Sequence, residues 1–177
     1  TGEGKSIIPD PRIQNGRWSG IALQWMAYGY GVSFTPLQTL TFYNAIANKG
    51  KMMNPMFSTA IMSNGKIVES KKSEVVNPAI CSEKTIEEIM PLLVGVVNEG
   101  TAKKIKSHQY QIAGKTGTTN DQKDAWFSGF NPDLVTTVWV GFDQPSTLGY
   151  WASGGATALP IWVEYMQTAL KDIPEKS

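Results

Sequence analysis

The chain has 177 residues, enough for one domain with a packed core, and its 41% hydrophobic content is ordinary for a globular protein. Its 16 basic and 15 acidic residues leave a net charge of +1, which argues against a nucleic-acid-binding face and against a polybasic membrane anchor. A single cysteine, Cys81, rules out an internal disulfide and a cysteine-based metal knuckle. No apolar run approaches the ~18 residues of a membrane span, and no charged-then-apolar leader follows Thr1, so the expectation is a mature, soluble chain without a membrane segment.

From the N-terminus, residues 1–16 are rich in Gly, Pro, Asp and Asn and lack periodicity, which predicts a loop or a severed connection. Thr35-Pro36 then supplies an N-cap and a proline at the first helical position. Leu37, Leu40, Tyr43 and Ala47 form an apolar stripe behind it, and Gly50 ends the helix. Residues 56–62 and 66–76 read as the arms of a hairpin around Asn64-Gly65, a pair that tolerates positive φ at both positions, with Asn77-Pro78 closing the segment. Ile86, Ile89, Met90, Leu93, Val96 and Val97 recur at helical spacing, with Thr85 and Glu88 offering a capping box. Pro91 falls inside that helix and predicts a bend or break.

Three strands are expected next, at 110–118, 124–130 and 134–142, as an antiparallel meander turning at 119–123 and 131–133. On the second, Trp126, Ser128 and Phe130 face away from Ala125, Phe127 and Gly129, and the aromatic residues are expected in the core. After Gly154-Gly155, the positions Ile161, Trp162, Tyr165, Met166, Ala169 and Leu170 predict a last helix that starts near Pro160 and covers the sheet.

Several chemical signals dissolve on inspection. Gly4-Lys5-Ser6 lacks the glycine and strand that a phosphate-binding loop places before it. Asp121, Asp124, Asp133 and Asp143 lie in separate turns without ligand spacing and read as solvated turn carboxylates. His108, the only histidine, lies among Lys103, Lys104, Lys106 and Ser107, in what reads as an exposed loop. Trp18, Trp25, Tyr28 and Tyr30 read as core residues, with a sugar-stacking platform as the other possibility.

The strongest signal is Lys115-Thr116-Gly117-Thr118. A cation, a hydroxyl and a residue without a side chain, at consecutive extended positions, form a strand edge able to hold an anionic group close to the backbone. Such an edge suits a peptide carboxylate. Its surroundings include Gly100-Thr101-Ala102, Tyr110-Gln111-Ile112-Ala113-Gly114 and Asp124-Ala125-Trp126-Phe127-Ser128-Gly129-Phe130.

In this order the segments resemble the penicillin-binding transpeptidases, whose fold is shared with the serine β-lactamases and whose third active-site motif is Lys-Thr-Gly. The resemblance covers nearly the whole chain. It implies an α/β fold of the α+β kind, with helices packed on an antiparallel sheet. Up to about Gly117, including the stretch from Trp18 to Val32 and Thr35-Pro36-Leu37-Gln38, the likeness is to class B septal enzymes. From Thr118 onward, Thr119-Asn120-Asp121, the run from Val138 to Pro145 and the run from Ala158 to Trp162 look like class A enzymes. This two-part likeness points to a hybrid joined near the motif.

The resemblance implies that Lys115, Thr116, Gly117 and Thr118 bind substrate, that the Thr118 backbone N–H is an oxyanion-hole donor, and that no metal or organic cofactor is used. The implied ligands are peptidoglycan stem peptides and β-lactams, and the implied location is the outer, periplasmic face of the bacterial cytoplasmic membrane. The family's chemistry also needs Ser-x-x-Lys and Ser-x-Asn. The second spacing is absent, and the first occurs only at Ser63-Asn64-Gly65-Lys66, where Asn-Gly predicts a turn and not the helix that would align hydroxyl and amine. The chain is therefore expected to be the C-terminal part of one transpeptidase domain, partnered by a missing N-terminal part that holds the nucleophile, with no turnover alone. A non-catalytic peptidoglycan-binding or structural module is the other reading.

Overall fold

A computed structural model describes residues 3–13, 18–105 and 111–174 of the chain. Near the N-terminus the backbone is mostly irregular, as its composition predicts, but Ile7 and Ser33 exchange two backbone hydrogen bonds of 2.9 Å. No helix follows Gly4-Lys5-Ser6. A short helix, α1 (Ala22–Ala27), which the periodicity does not announce, ends beside Gly29 and Gly31, both at positive φ.

The next helix, α2 (Pro36–Ala47), begins as its sequence dictates. The Thr35 hydroxyl accepts the Gln38 N–H, and the Gln38 side chain accepts the Thr35 N–H, so two otherwise orphaned donors are satisfied reciprocally. It ends where Lys49 and Gly50 turn left-handed and the Gly50 N–H reaches the Ala45 carbonyl at 2.7 Å.

Strands β1 (Met52–Met53) and β4 (Val75–Asn77) pair with each other, and β2 (Ala60–Ser63) pairs with β3 (Lys66–Ser70). Asn64 at φ 48° and Gly65 at φ 74° make the tight hairpin turn expected of this dipeptide. The predicted long second arm is corrected: after Ser70 the chain leaves the hairpin, and Val75–Asn77 forms a separate ladder with β1.

The long helix α3 (Glu83–Asn98) departs from expectation at two points. Its cap is Ser82, whose hydroxyl accepts the Thr85 N–H, so the helix starts before Thr85. Pro91 does not break it. Both Pro91 and Glu87, whose carbonyl loses its helical donor, are exposed, and water can satisfy that carbonyl.

The main sheet has the order β5-β6-β7, built from β5 (Ala113–Thr118), β6 (Asp124–Phe130) and β7 (Val135–Gly141), all antiparallel. The Asn131 side-chain oxygen accepts the N–H groups of Asp133 and Leu134 and so shapes the β6–β7 turn. After an irregular stretch, one π-helical turn, Gly154–Ala158, leads into α4 (Leu159–Ala169).

The two faces of β6 organise the core. Ala125 and Phe127 pack with Leu159, Trp162, Met166 and Leu170, which recur at helical spacing on and just beyond α4. Trp162 is 2% exposed, meets Phe127 edge-on at 5.1 Å, and donates its indole N–H to the Thr136 carbonyl at 3.1 Å. Phe130 joins Ile46 of α2, Leu93 of α3 and Ala113 of β5 in a second cluster. Each fully buried large side chain contributes roughly 1.5–3 kcal/mol.

Much apolar surface stays outside. The accessible area is 12780 Å², against about 8,500 Å² for a folded monomer of this mass. Trp18, Trp25, Tyr28 and Tyr30, expected in the core, are exposed by 38 to 84%. Among them, Trp25 and Tyr30 meet edge-on at 5.1 Å. No helix among the described residues is long and apolar enough to cross a membrane.

Candidate functional site

Lys115, Thr116, Gly117 and Thr118 are consecutive on β5, which is an edge strand among the described residues. Ala113 and Gly114 are buried, whereas Lys115 and Thr118 are exposed, so the edge opens at the predicted motif. Register decides what it presents. Thr118 pairs with Ala125, and the Thr119 N–H reaches the Asp124 carbonyl at 3.1 Å. By the alternation of antiparallel bonds, Gly117 and Lys115 then bond inward to β6, while Thr116 and Thr118 direct their N–H and C=O groups to the open side.

The side chains alternate across the pleat. Lys115 and Gly117 lie opposite Ser128 and Trp126 on one face, and Thr116 and Thr118 lie opposite Phe127 and Ala125 on the other. The Lys115 ammonium folds along the edge and donates to the outward Thr116 carbonyl at 2.8 Å. That exposed bond holds a cation beside the outward backbone groups, an arrangement that an anionic ligand can enter by competition.

Two segments far apart in sequence build the rest. The Thr116 hydroxyl is 2.7 Å from the Thr101 hydroxyl, on the segment that follows α3. The Thr118 hydroxyl accepts the Gly154 N–H at 3.1 Å. Gly154 lies against the β5–β6 ladder so closely that a Cβ there would be 2.3 Å from the Trp126 carbonyl oxygen and 2.6 Å from that of Gly117. Gly155 is similarly near the Thr101 carbonyl, at 3.1 Å from a Cβ.

The turn after Thr118 is strained. Asp121 and Gln122 have φ of 58° and 52°, a left-handed pair without glycine that costs about 1 kcal/mol or more per residue. Asp124, expected as a solvated turn carboxylate, is bonded to Thr119 and to the Trp139 indole, which corrects that reading. Tyr30 reaches the same turn through a 3.3 Å bond to Asn120.

In the sequence, Gly100-Thr101-Ala102 and Gly154-Gly155 carry no indication of where they lie relative to Lys115–Thr118. The extra glycine and threonine around a motif were the available signal, but only the fold joins them to it. Ser63 and Lys66 form the closing pair of the β2–β3 hairpin, both exposed, and not a helical nucleophile–base pair. His108 and Tyr110 lie outside the described residues. No group of three potential metal ligands occurs among the described residues.

Residues 2–167 match the model of the penicillin binding protein transpeptidase domain. The chain belongs to that family. Penicillin-binding protein 1A of Neisseria lactamica is 39% identical over 160 residues, which is 85% of this chain and 19% of the relative. The crystal structure of penicillin-binding protein 1A from Haemophilus influenzae superposes with a TM-score of 0.74 at 31% identity, covering 83% of this chain and 28% of that one. Penicillin-binding protein A of M. tuberculosis, solved as a penicillin G acyl-enzyme complex, gives a TM-score of 0.63 at 27% identity, covering 84% and 35%.

These similarities establish the transpeptidase fold, helices on an antiparallel sheet. The chain spans about one fifth of the length of the curated relatives it matches. The class A likeness is not confined to the part after Gly117, because an alignment of 160 residues cannot fit there.

Proposed function

We propose that this transpeptidase-family chain forms the carboxylate-binding wall of a peptidoglycan D,D-transpeptidase and is the C-terminal part of that domain. The observation that carries the reading is the β5 edge, open among the described residues, where the Lys115 ammonium lies beside the outward backbone groups of Thr116 and Thr118. A stem peptide ending in D-Ala-D-Ala offers a carboxylate for Lys115 and Thr116 and a carbonyl oxygen for the Thr118 N–H.

In the complete enzyme a serine attacks the carbonyl carbon of the D-Ala-D-Ala bond, the terminal D-Ala leaves as its amine after protonation, and an ester to the serine remains. An amine of a neighbouring strand then attacks that ester and regenerates the serine hydroxyl. β-Lactams acylate the same serine by ring opening. The chain carries no Ser-x-x-Lys in a helix and no Ser-x-Asn, so the nucleophile comes from another part of the domain, the partner of this chain. The accessible area beyond that of a folded monomer, together with the many exposed large hydrophobic side chains, supports such a partner. The enzyme's place is then the outer face of the bacterial cytoplasmic membrane.

The test is to incubate the purified chain with excess penicillin for intact mass, and to titrate it with N-acetyl-D-alanyl-D-alanine. The expected result is no covalent adduct and weak binding that Lys115→Ala abolishes. An adduct on Ser63 would overturn the assignment of the nucleophile to another segment. The exposed Trp25, Tyr28 and Tyr30 favour a second reading, a non-catalytic peptidoglycan-binding face, which predicts binding of glycan strands that is indifferent to Lys115→Ala.

A further inference from the structure

We infer that Asp124 is a positioning residue for the substrate edge, fixing through Thr119 and Trp139 the end of β5 that presents the Thr118 backbone groups. The inference rests on the proposed reading of residues 115–118 as the ligand-binding wall. Asp124 is not a motif residue and does not face the edge itself.

Its contacts form a clasp. The carboxylate accepts the Thr119 hydroxyl at 3.0 Å and the Trp139 indole N–H at 2.9 Å, one bond on each oxygen. The Asp124 N–H donates back to the Thr119 hydroxyl at 2.8 Å, and the Asp124 carbonyl accepts the Thr119 N–H at 3.1 Å. Thr119 is thus bound to one residue by backbone and side chain together. Its N–H belongs to the same peptide plane as the Thr118 carbonyl, so fixing one directs the other to the open side.

The surroundings are shaped to admit this clasp. A Cβ on Gly141, the residue paired with Asp124, would be 2.8 Å from the Asp124 carboxylate and 2.6 Å from the Trp139 ring. A side chain there would displace both partners. The turn that the clasp spans holds Asp121 and Gln122 in left-handed conformations, and the Gln122 carbonyl is tied to the Leu148 N–H at 2.8 Å. A relaxed two-residue turn with glycine would close the strands without any of this. The strain is held at the strand end that carries Thr118. Thr118 is anchored from the other direction by the Gly154 N–H on its hydroxyl. Between these two anchors its backbone N–H and C=O have a fixed direction, which is what a hydrogen-bonding wall requires before the ligand arrives.

The test uses the full chain, labelled with nitrogen-15 and titrated with N-acetyl-D-alanyl-D-alanine, alongside Asp124→Ala, Asp124→Asn and Lys115→Ala. For Asp124→Ala, amide exchange at Thr119 should accelerate about tenfold or more, while Phe127 stays protected. Dipeptide affinity should fall about fivefold. Asp124→Asn should restore both within about twofold, because its amide oxygen can accept from Trp139 and its amide N–H₂ can donate to Thr119.

Unchanged affinity in Asp124→Ala, or loss of protection throughout β6, would overturn the positioning role in favour of a merely structural one. The underlying reading has its own failure mode. If the unmodified chain does not bind the dipeptide, or Lys115→Ala binds it undiminished, the wall assignment falls and this inference with it. If Lys115→Ala loses binding but Asp124→Ala does not, only the positioning role is overturned.

Discussion

Gly154→Ala tests whether the candidate edge depends on a close approach of backbone to backbone. Gly154 is buried and has no positive φ, so the alanine backbone is unstrained and the cost is one of space. The new methyl would lie 2.3 Å from the Trp126 oxygen, 2.6 Å from the Gly117 oxygen and 3.0 Å from the Gly117 nitrogen. All three atoms belong to the β5–β6 ladder and cannot yield without loosening its hydrogen bonds. Relief therefore falls on the π-helical turn, which must lift from the sheet by about 1 Å to reach ordinary contact distance.

That movement breaks the Gly154–Thr118 bond, worth about 1 kcal/mol, and unseats Ala158 and Leu159, which are 0% and 2% exposed. With overpacking at about 1–3 kcal/mol, the expected loss is about 3 kcal/mol. For a chain of this size the melting temperature falls by about 6–12 °C. Urea unfolding should show a lower midpoint at unchanged slope, with Gly20→Ala, where a Cβ meets nothing within 4 Å, as the neutral control. A loss below about 0.5 kcal/mol would refute the close-approach argument.

Two further outcomes follow from the helices. Pro91→Ala restores a donor to the Glu87 carbonyl on an exposed face of α3 and should stabilise the chain by about 1 kcal/mol in the same urea assay; destabilisation would mean that the ring packs usefully. Burial raises the pKa of Tyr43 on α2 above the ordinary tyrosine range. The folded state then favours the neutral phenol, so this contribution is intact below about pH 10 and is lost as pH rises through the folded value. Melting curves between pH 8 and 11 should show that decline, and Tyr43→Phe should flatten it.

Local rules made much of the fold legible. Thr35-Pro36 specified a capped helix start, Asn64-Gly65 a hairpin turn, and the alternation in 124–130 the two faces of β6, because each depends on bonds or sterics within a few residues. The identity and strand position of Lys115–Thr118 were legible for the same reason. Pro91 misled because propensity cannot see that the proline and the residue whose carbonyl it frees, Glu87, lie on an exposed face. The aromatic residues from Trp18 to Tyr30 misled because composition gives hydrophobicity but not what covers it.

What the tertiary structure alone decided is the direction of the site. Which backbone groups of β5 face outward depends on pairing Thr118 with Ala125, and a slip of one residue would invert them. Thr101 and Gly154 reach the motif from 15 and 36 residues away, a proximity fixed by packing α3 and α4 against the sheet. Asp124 reads as a solvated carboxylate until Trp139, 15 residues on, is brought across the β6–β7 ladder to meet it. The sequence determined which chemical groups the chain carries; long-range pairing determined which of them share a surface, because that depends on contacts that no short window of residues contains.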